Sequence, residues 1–472
     1  MFLLGRYLHF LPIVFFSFFP LKIDAEINNL KQHSITVLTN CNIISCTGSN
    51  MMKNMTLTII GNKISEIKRG RYKPARGDKD INIIDLEGGY VLPGFWNVHM
   101  HLTALLPDPN HVQDNESTAS ATIRAGLNAM DGIRHGFTSI RSVGERDYID
   151  IAWRDAFNQG YFMGPRIFAS GEPVTATGGH RGDVEFGSDG ASEFRKAVRQ
   201  RIQKGVDWIK IVDVEMLPDE LEAAIETTHS LGRKITSHSR EPATYRSVLA
   251  GVDCIEHGYG LTDKTIKLMA EKGVYYSPTI ICNLSDTYIK EREARLAKLG
   301  FALDDQVVNG RVLVAYADER SQEHAEYQRN ALKKAVKAGV KVVIASDSTP
   351  IGEIGILEIE QFVLSGVSEM DALIAATRNP AEMCGVLDKL GTVEENKLAD
   401  LVVLKDNPLE NISNIRKVNM VFKDGVSIDL THPRGTATYW DYYGKKNLKK
   451  GYLGDAENQA GFTRGLAEPD NN

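Results

Sequence analysis

The sequence predicts an α/β protein, a (β/α)8 TIM barrel inserted in a small β-sandwich domain formed by both chain ends. Three observations carry this expectation. Eight short apolar, β-branched runs alternate with helical patterns between residues 91 and 389. Turn-punctuated β-rich runs fill residues 26–90, and matching runs recur only over 390–430. Each flanking piece is too small to bury a core alone, so the two are expected to join.

Composition sets the outer limits. With 472 residues, 42% hydrophobic and 25% charged, the chain can bury one large core and a smaller one. A formal net charge of −6 leaves no basic footprint, so no nucleic-acid partner is expected. Five cysteines (Cys41, Cys46, Cys254, Cys282, Cys384) are too few and scattered for a disulfide framework. Cys41 and Cys46, an odd distance apart, would face opposite sides of an extended strand rather than pair.

The elements follow in order. Met1–Arg6 is a basic start, Tyr7–Phe19 an apolar centre too short to span a bilayer, and Ala25 a small residue before Glu26. Residues 1–25 therefore read as a signal peptide of an exported protein, periplasmic or secreted. An uncleaved N-terminal anchor is the second reading, because Ile23 is not the small residue such a site prefers. Neither gives stable membrane embedding. Ile35–Leu38, Leu57–Ile60 and Ile81–Ile84, with turns at Gly61-Asn62 and Gly77-Asp78, predict a small antiparallel sheet. Asp400–Leu404 and Met420–Phe422, with the turn Asp424-Gly425, supply its other half.

Between them the expected barrel strands are Trp96–His101, Phe137–Val143, Arg166–Ser170, Trp208–Val212, Lys234–His238, Cys254–His257, Val274–Ile280 and Val340–Ser346. Phe194, Ala197, Val198 and Ile202 recur at helical spacing, as do Leu221, Ala224 and Ile225 between Pro218 and Gly232. The long charged interval between Ile280 and Val340, with Lys290–Arg295, reads as a surface lid. Residues 431–472 read as a polar C-terminal tail without chemistry.

Catalytic groups of such a barrel sit at the carboxyl ends of its strands. Those ends carry His99 and His101, Lys210, His238, His257 and Asp347. A period of two puts His99 and His101 on one face of their strand. Each residue alone has an ordinary structural explanation, but six metal-competent groups at one mouth predict a metal site. Lys210 is the odd member, since an ammonium repels a divalent cation. Flanked by Ile209 and Ile211, it points inward, where an unpartnered charge is costly. Carboxylation by carbon dioxide would make it an anionic ligand bridging two metals, so a carboxylated Lys210 is expected.

At this point motifs carry a family likeness. Pro93-Gly-Phe-Trp-Asn-Val-His-Met-His101, Ile255-Glu-His-Gly258, Ala345-Ser-Asp347, Asn379-Pro380 and Gly391-Thr-Val-Glu-Glu-Asn-Lys-Leu-Ala-Asp400 resemble the amidohydrolase superfamily. Within it the chain is similar to the imidazolonepropionase-like branch that includes metal-dependent prolidases and Xaa-Arg dipeptidases, from Ile35 to Val426. It departs from many relatives at His238-Ser-Arg-Glu-Pro242, which bears on substrate class. The resemblance implies one metal held by His99, His101, Lys210 and Asp347 and a second by Lys210, His238 and His257. Imidazole and carboxylate donors suit two Zn2+ ions. It also implies that Asp347 shuttles a proton from the attacking water to the leaving amine. In dipeptidase-like relatives a Gly-Gly-His loop resembling Gly178-Gly-His180 helps hold the substrate, which makes His180 the candidate for polarising the carbonyl oxygen. Arg181 beside it has the fork that matches a substrate carboxylate. Arg240 and Tyr245 are expected to pack, and His111, His135, His229, His324 and His432 to be structural or solvated.

The expected function is thus binuclear zinc hydrolysis of an amide bond in a dipeptide or N-acyl amino acid, by an exported enzyme. Opening of a cyclic amide is the alternative on the same fold. A non-catalytic metal-binding protein is the alternative of another class. The partner is a small-molecule or dipeptide substrate, and assembly into a homo-oligomer stays open.

Overall fold

The computed structural model describes residues 35–75, 81–104, 116–180, 187–283, 322–347 and 351–430. The expected signal peptide, Arg181, His111, His432, the tail and most of the charged interval (284–321) lie outside the described residues.

Fifteen strands are formed by the described residues, labelled here in chain order. The first five are β1 (Ile35–Ile43), β2 (Met52–Ile60), β3 (Lys63–Arg69), β4 (Ile81–Asp85) and β5 (Tyr90–Pro93). Then come β6 (Phe95–Met100), β7 (Phe137–Ser142), β8 (Arg166–Phe168), β9 (Trp208–Val212), β10 (Lys234–Arg240), β11 (Cys254–Tyr259) and β12 (Tyr275–Ser277). The last are β13 (Leu401–Leu404), β14 (Val418–Lys423) and β15 (Val426–Ser427).

Both ends of the chain meet in one eight-stranded sheet, ordered β15-β14-β13-β5-β1-β2-β3, with β4 also paired to β1. The sheet is mixed rather than antiparallel as expected, because β4 and β5 run parallel to β1. The tight turn at Gly61-Asn62 forces β2 and β3 to be antiparallel. The longer stretch from β3 to β4 carries no such constraint and brings the chain to the other edge of β1, where parallel pairing is open to it. Alternation along the strands divides the side chains. Val91, Leu401, Val403 and Phe422 join Leu38, Cys41, Leu57 and Ile64 in a core of the sheet's own. Leu92, Val402 and Leu404 face the main core. Cys41 and Cys46 fall in different cores as free thiols, in line with their odd spacing.

The central strands form two parallel sheets, β6-β7-β8 and β12-β11-β10-β9. A few backbone bonds join the chain just after β8 to β9, with Trp208 N–H donating to Ala169 O at 3.1 Å and Val174 N–H to Lys210 O at 2.8 Å, while Val98 N–H of β6 donates to Ile344 O at 2.9 Å. The expected eighth strand, Val340–Ser346, is not a strand but makes one isolated parallel bridge, Tyr276 with Val342. Its amides diverge. Val343 N–H goes to Tyr276 O, Ile344 N–H to Ala375 O, Ser346 N–H to the Asn97 side chain and Asp347 N–H to His99 O. A segment whose donors serve different partners has no continuous ladder, yet it ends beside β6 as required.

The expected helices are present at Gly190–Lys204 and Pro218–Ser230, burying Phe194, Ala197 and Val198 in the first and Leu221, Ala224 and Ile225 in the second. Among the described residues no helix is long and apolar enough to cross a membrane.

Candidate metal centre

All six residues of β6 are buried, so alternation along it separates two interior environments. Met100 joins an apolar cluster with Leu102, Ala125 and Ile140. His99 and His101 face the other way, and their Nε2 atoms converge on one atom, Asp347 Oδ1, at 3.2 and 3.0 Å. Their outer nitrogens are held from behind: His101 Nδ1 by the Gly144 carbonyl at 2.9 Å and His99 Nδ1 by Glu256 Oε2 at 2.8 Å. A carbonyl and a carboxylate only accept, so each Nδ1 donates and each Nε2 presents a lone pair inward.

Asp347 reaches this point from a left-handed backbone, φ 52°, with its N–H on His99 O at 2.8 Å. His257 and Thr279 share that conformation, at φ 64° and 49°. Sparsely populated backbone in β-branched and ring-bearing residues persists only where the surroundings impose it, and it gathers at functional sites. Thr279 gives its hydroxyl proton to Pro278 O at 2.7 Å, so its oxygen is free to accept from His257 Nδ1, 2.6 Å away. His257 Nε2 is thereby left as a donor of electron pairs.

Lys210 lies buried in the middle of β9, paired in register with Thr236 of β10, while His238 is paired with Val212. The His238 ring is 4.5 Å from that of His257, which in turn is 4.8 Å from that of His99. Burial, reinforced by the charge of Lys210, pushes His238 down to about 2. Burial and the neighbouring His238 also hold His257 well below the usual imidazole range. Asp347 goes the other way. Burial opposes its ionisation, but the neighbouring His99 and His101 outweigh it and keep the carboxyl well below the usual range.

Neutral imidazoles and an ionised carboxylate are the protonation states a metal needs. Ligand atoms of His99, His257 and Asp347 all lie within 4.8 Å of one another. Lone pairs of this kind, aimed at one another, repel unless a positive charge stands among them. The donor set therefore fits a divalent ion of the nitrogen- and oxygen-preferring kind.

His180 is exposed, and its ring stacks on that of His238 at 4.9 Å and 27°, which places it beside the same group of imidazoles. Arg181 is outside the described residues. Arg240 lies over the Tyr259 ring at 5.8 Å, and Tyr245 lies under Lys264 at 4.0 Å. His229 is bonded to Asp253 at 2.9 Å and His135 to Asp131 O at 3.0 Å, away from the site.

Sequence reasoning passed over Glu256, Arg141, Thr279 and Tyr259. Tyr259 lies parallel to the His257 ring at 5.1 Å. Glu256 and Arg141 form an ion pair in which both side chains are fully buried. The available signal was a charged residue inside each of two otherwise interior runs, Phe137–Val143 and Cys254–His257.

Comparison with known proteins identifies the family. Residues 90–428 match the amidohydrolase family. An ochratoxinase from Aspergillus niger is 26% identical over 386 residues, covering 71% of this chain and 75% of that protein. An imidazolonepropionase from Thermoplasma volcanium is 23% identical over 425 residues, covering 79% and 90%. The crystal structure of a Xaa-Pro dipeptidase with bound methionine superposes with a TM-score of 0.70 at 29% identity, covering 84% of this chain and 100% of that one.

Proposed function

The chain belongs to the amidohydrolase family and is a hydrolase of carbon–nitrogen bonds, and from that premise we propose that its substrate is a dipeptide or an N-acyl amino acid. One observation carries the catalytic part of this reading: donor atoms of His99, His257 and Asp347 within 4.8 Å of one another, arriving from three separate parts of the chain. The two central sheets and segment 340–346 are taken as arcs of one (β/α)8 barrel, with the eight-stranded sheet as the smaller domain beside it. Two divalent ions, zinc by donor chemistry, would be held, one by His99, His101, Lys210 and Asp347 and the other by Lys210, His238 and His257. The Lys210 amine would add to carbon dioxide with loss of a proton, which would replace a buried cation by an anion able to ligate a metal.

Bound ions of this kind polarise a carbonyl and lower the pKa of a water. The protein's own groups do the rest. Asp347, ionised, accepts the proton given up by the attacking water and delivers it to the leaving amine nitrogen. His180, beside the imidazoles, donates to the carbonyl oxygen, and Arg181 faces the carboxylate of the departing amino acid. The likeness to the Xaa-Pro dipeptidase supports this substrate class, since an acid adjacent to the scissile amide is common to dipeptides and N-acyl amino acids.

The test is a panel of dipeptides and N-acyl amino acids varied at the C-terminal residue, with cyclic amides alongside. Release of one class of free amino acid is expected. Turnover confined to the cyclic amides would overturn the dipeptide reading, and the likeness to imidazolonepropionase makes that the informative alternative.

A further inference from the structure

Glu256 lies fully buried beneath the site, and hydrolysis as derived above gives it no task. Its two oxygens face different neighbours. Oε2 meets His99 Nδ1 at 2.8 Å. Oε1 receives the guanidinium of Arg141 and the hydroxyl of Thr236, the latter at 2.5 Å. Arg141 is itself locked: its Nε donates to Val98 O at 2.7 Å, and its guanidinium carbon sits 4.6 Å from the centre of the Trp208 ring. It cannot swing away and release Oε1.

Counting donors and acceptors gives the consequence. A guanidinium has only protons to offer, so the atom facing it must accept. A carboxylate accepts at both ends, so Oε2 accepts a hydrogen bond from His99 Nδ1–H and leaves Nε2 with the lone pair that points at Asp347 Oδ1, 3.2 Å away. We propose that Glu256, clamped by Arg141, is a positioning residue that fixes His99 in the tautomer able to ligate a metal. This rests on the metal reading of the site, though the tautomer itself can be read without any metal.

Glu256→Gln tests the assignment at the level of single atoms. Arg141 keeps the amide oxygen, and the amide NH2 is turned to His99 Nδ1, which must then accept. The ring proton moves to Nε2 and the ligating lone pair is lost. Metal affinity of the chelator-stripped variant, measured by competition with a chromophoric chelator, should fall by about 10–100-fold. Thr236→Val removes a hydrogen bond from the same buried cluster while leaving Glu256 charged, and should keep the wild-type affinity within about twofold. Equal losses in the two variants, or wild-type affinity in Glu256→Gln, would overturn the proposal by reducing Glu256 to a packing role.

Should Glu256→Gln fail to fold, the ring nitrogen shifts of 15N-histidine-labelled, metal-free wild-type protein decide the matter. A His99 protonated at Nδ1 supports the proposal, and one protonated at Nε2 overturns it. Wild-type protein that binds no divalent ion would defeat the proposed function, while these shifts would still decide the role of Glu256.

Discussion

Asp347 meets His99 at two points: its N–H donates to the His99 carbonyl at 2.8 Å, and its Oδ1 stands 3.2 Å from His99 Nε2. The backbone bond thus holds the carboxylate beside the histidine. This bears on substitution, because Asn tolerates the left-handed backbone that Asp347 adopts at φ 52° better than most residues do. Asp347→Asn should therefore fold and retain most of its metal, while kcat falls by about 10²–10⁴ through loss of the proton acceptor. Metal content and kcat measured on one preparation check this, and near-wild-type kcat would remove Asp347 as the proton shuttle.

His180 contacts the His238 ring from an exposed loop and sits apart from the three converging ligands. His180→Ala should leave metal content unchanged and lower kcat/KM by about 10²–10³, the size of loss expected for one donor to a developing oxyanion. A drop in bound metal would instead make His180 a ligand.

Thr279 accepts from His257 Nδ1 at 2.6 Å because its own proton is committed to Pro278 O. Thr279→Val keeps the shape and removes the acceptor. Metal affinity should fall by about 10–100-fold, with a small change in melting temperature. Equal affinity in a chelator competition would show that the His257 ring is oriented by packing alone.

Acid should destabilise the metal-free protein through its buried imidazoles. His238 titrates near 2 in the folded chain against 6.5 when exposed, and His257 is lowered as well. Between those values the unfolded chain binds more protons, so stability is complete above about 6.5 and is lost as the pH falls toward 2. Each group contributes a slope of up to about 1.4 kcal/mol per pH unit in that window. Denaturant titrations of the stripped protein at pH 7.5 and 5.5 check this, and the opposite order of stabilities would contradict it.

Legibility from sequence followed the physics of each element. The parallel strands β6, β9 and β11 are buried on both faces, so they stood out as mainly apolar runs; β10 is mostly buried but polar, and Lys210 lies in the middle of β9 rather than at its end as expected. Segment 340–346 reads as a strand by composition, but its amides are divided among Tyr276, Ala375 and Asn97, and that of Asp347 just after it goes to His99, which no local pattern reveals. Glu256 was passed over for a sharper reason. Alternation sets adjacent residues on opposite faces, yet both Glu256 and His257 contact His99, because His257 adopts φ 64° and turns its ring back inward. Arg141 became meaningful only once its partner Glu256, 115 residues away in sequence, was in place.

The most direct measurement of the central claim is the metal content of purified wild-type protein and of Lys210→Ala, each assayed with and without a short-chain carboxylic acid. About two divalent ions per wild-type chain are expected, with loss of metal and activity in the variant and partial recovery when the acid stands in for the missing carboxylate. A variant that keeps the full wild-type metal content would contradict a bridging, carboxylated Lys210, and with it the binuclear centre.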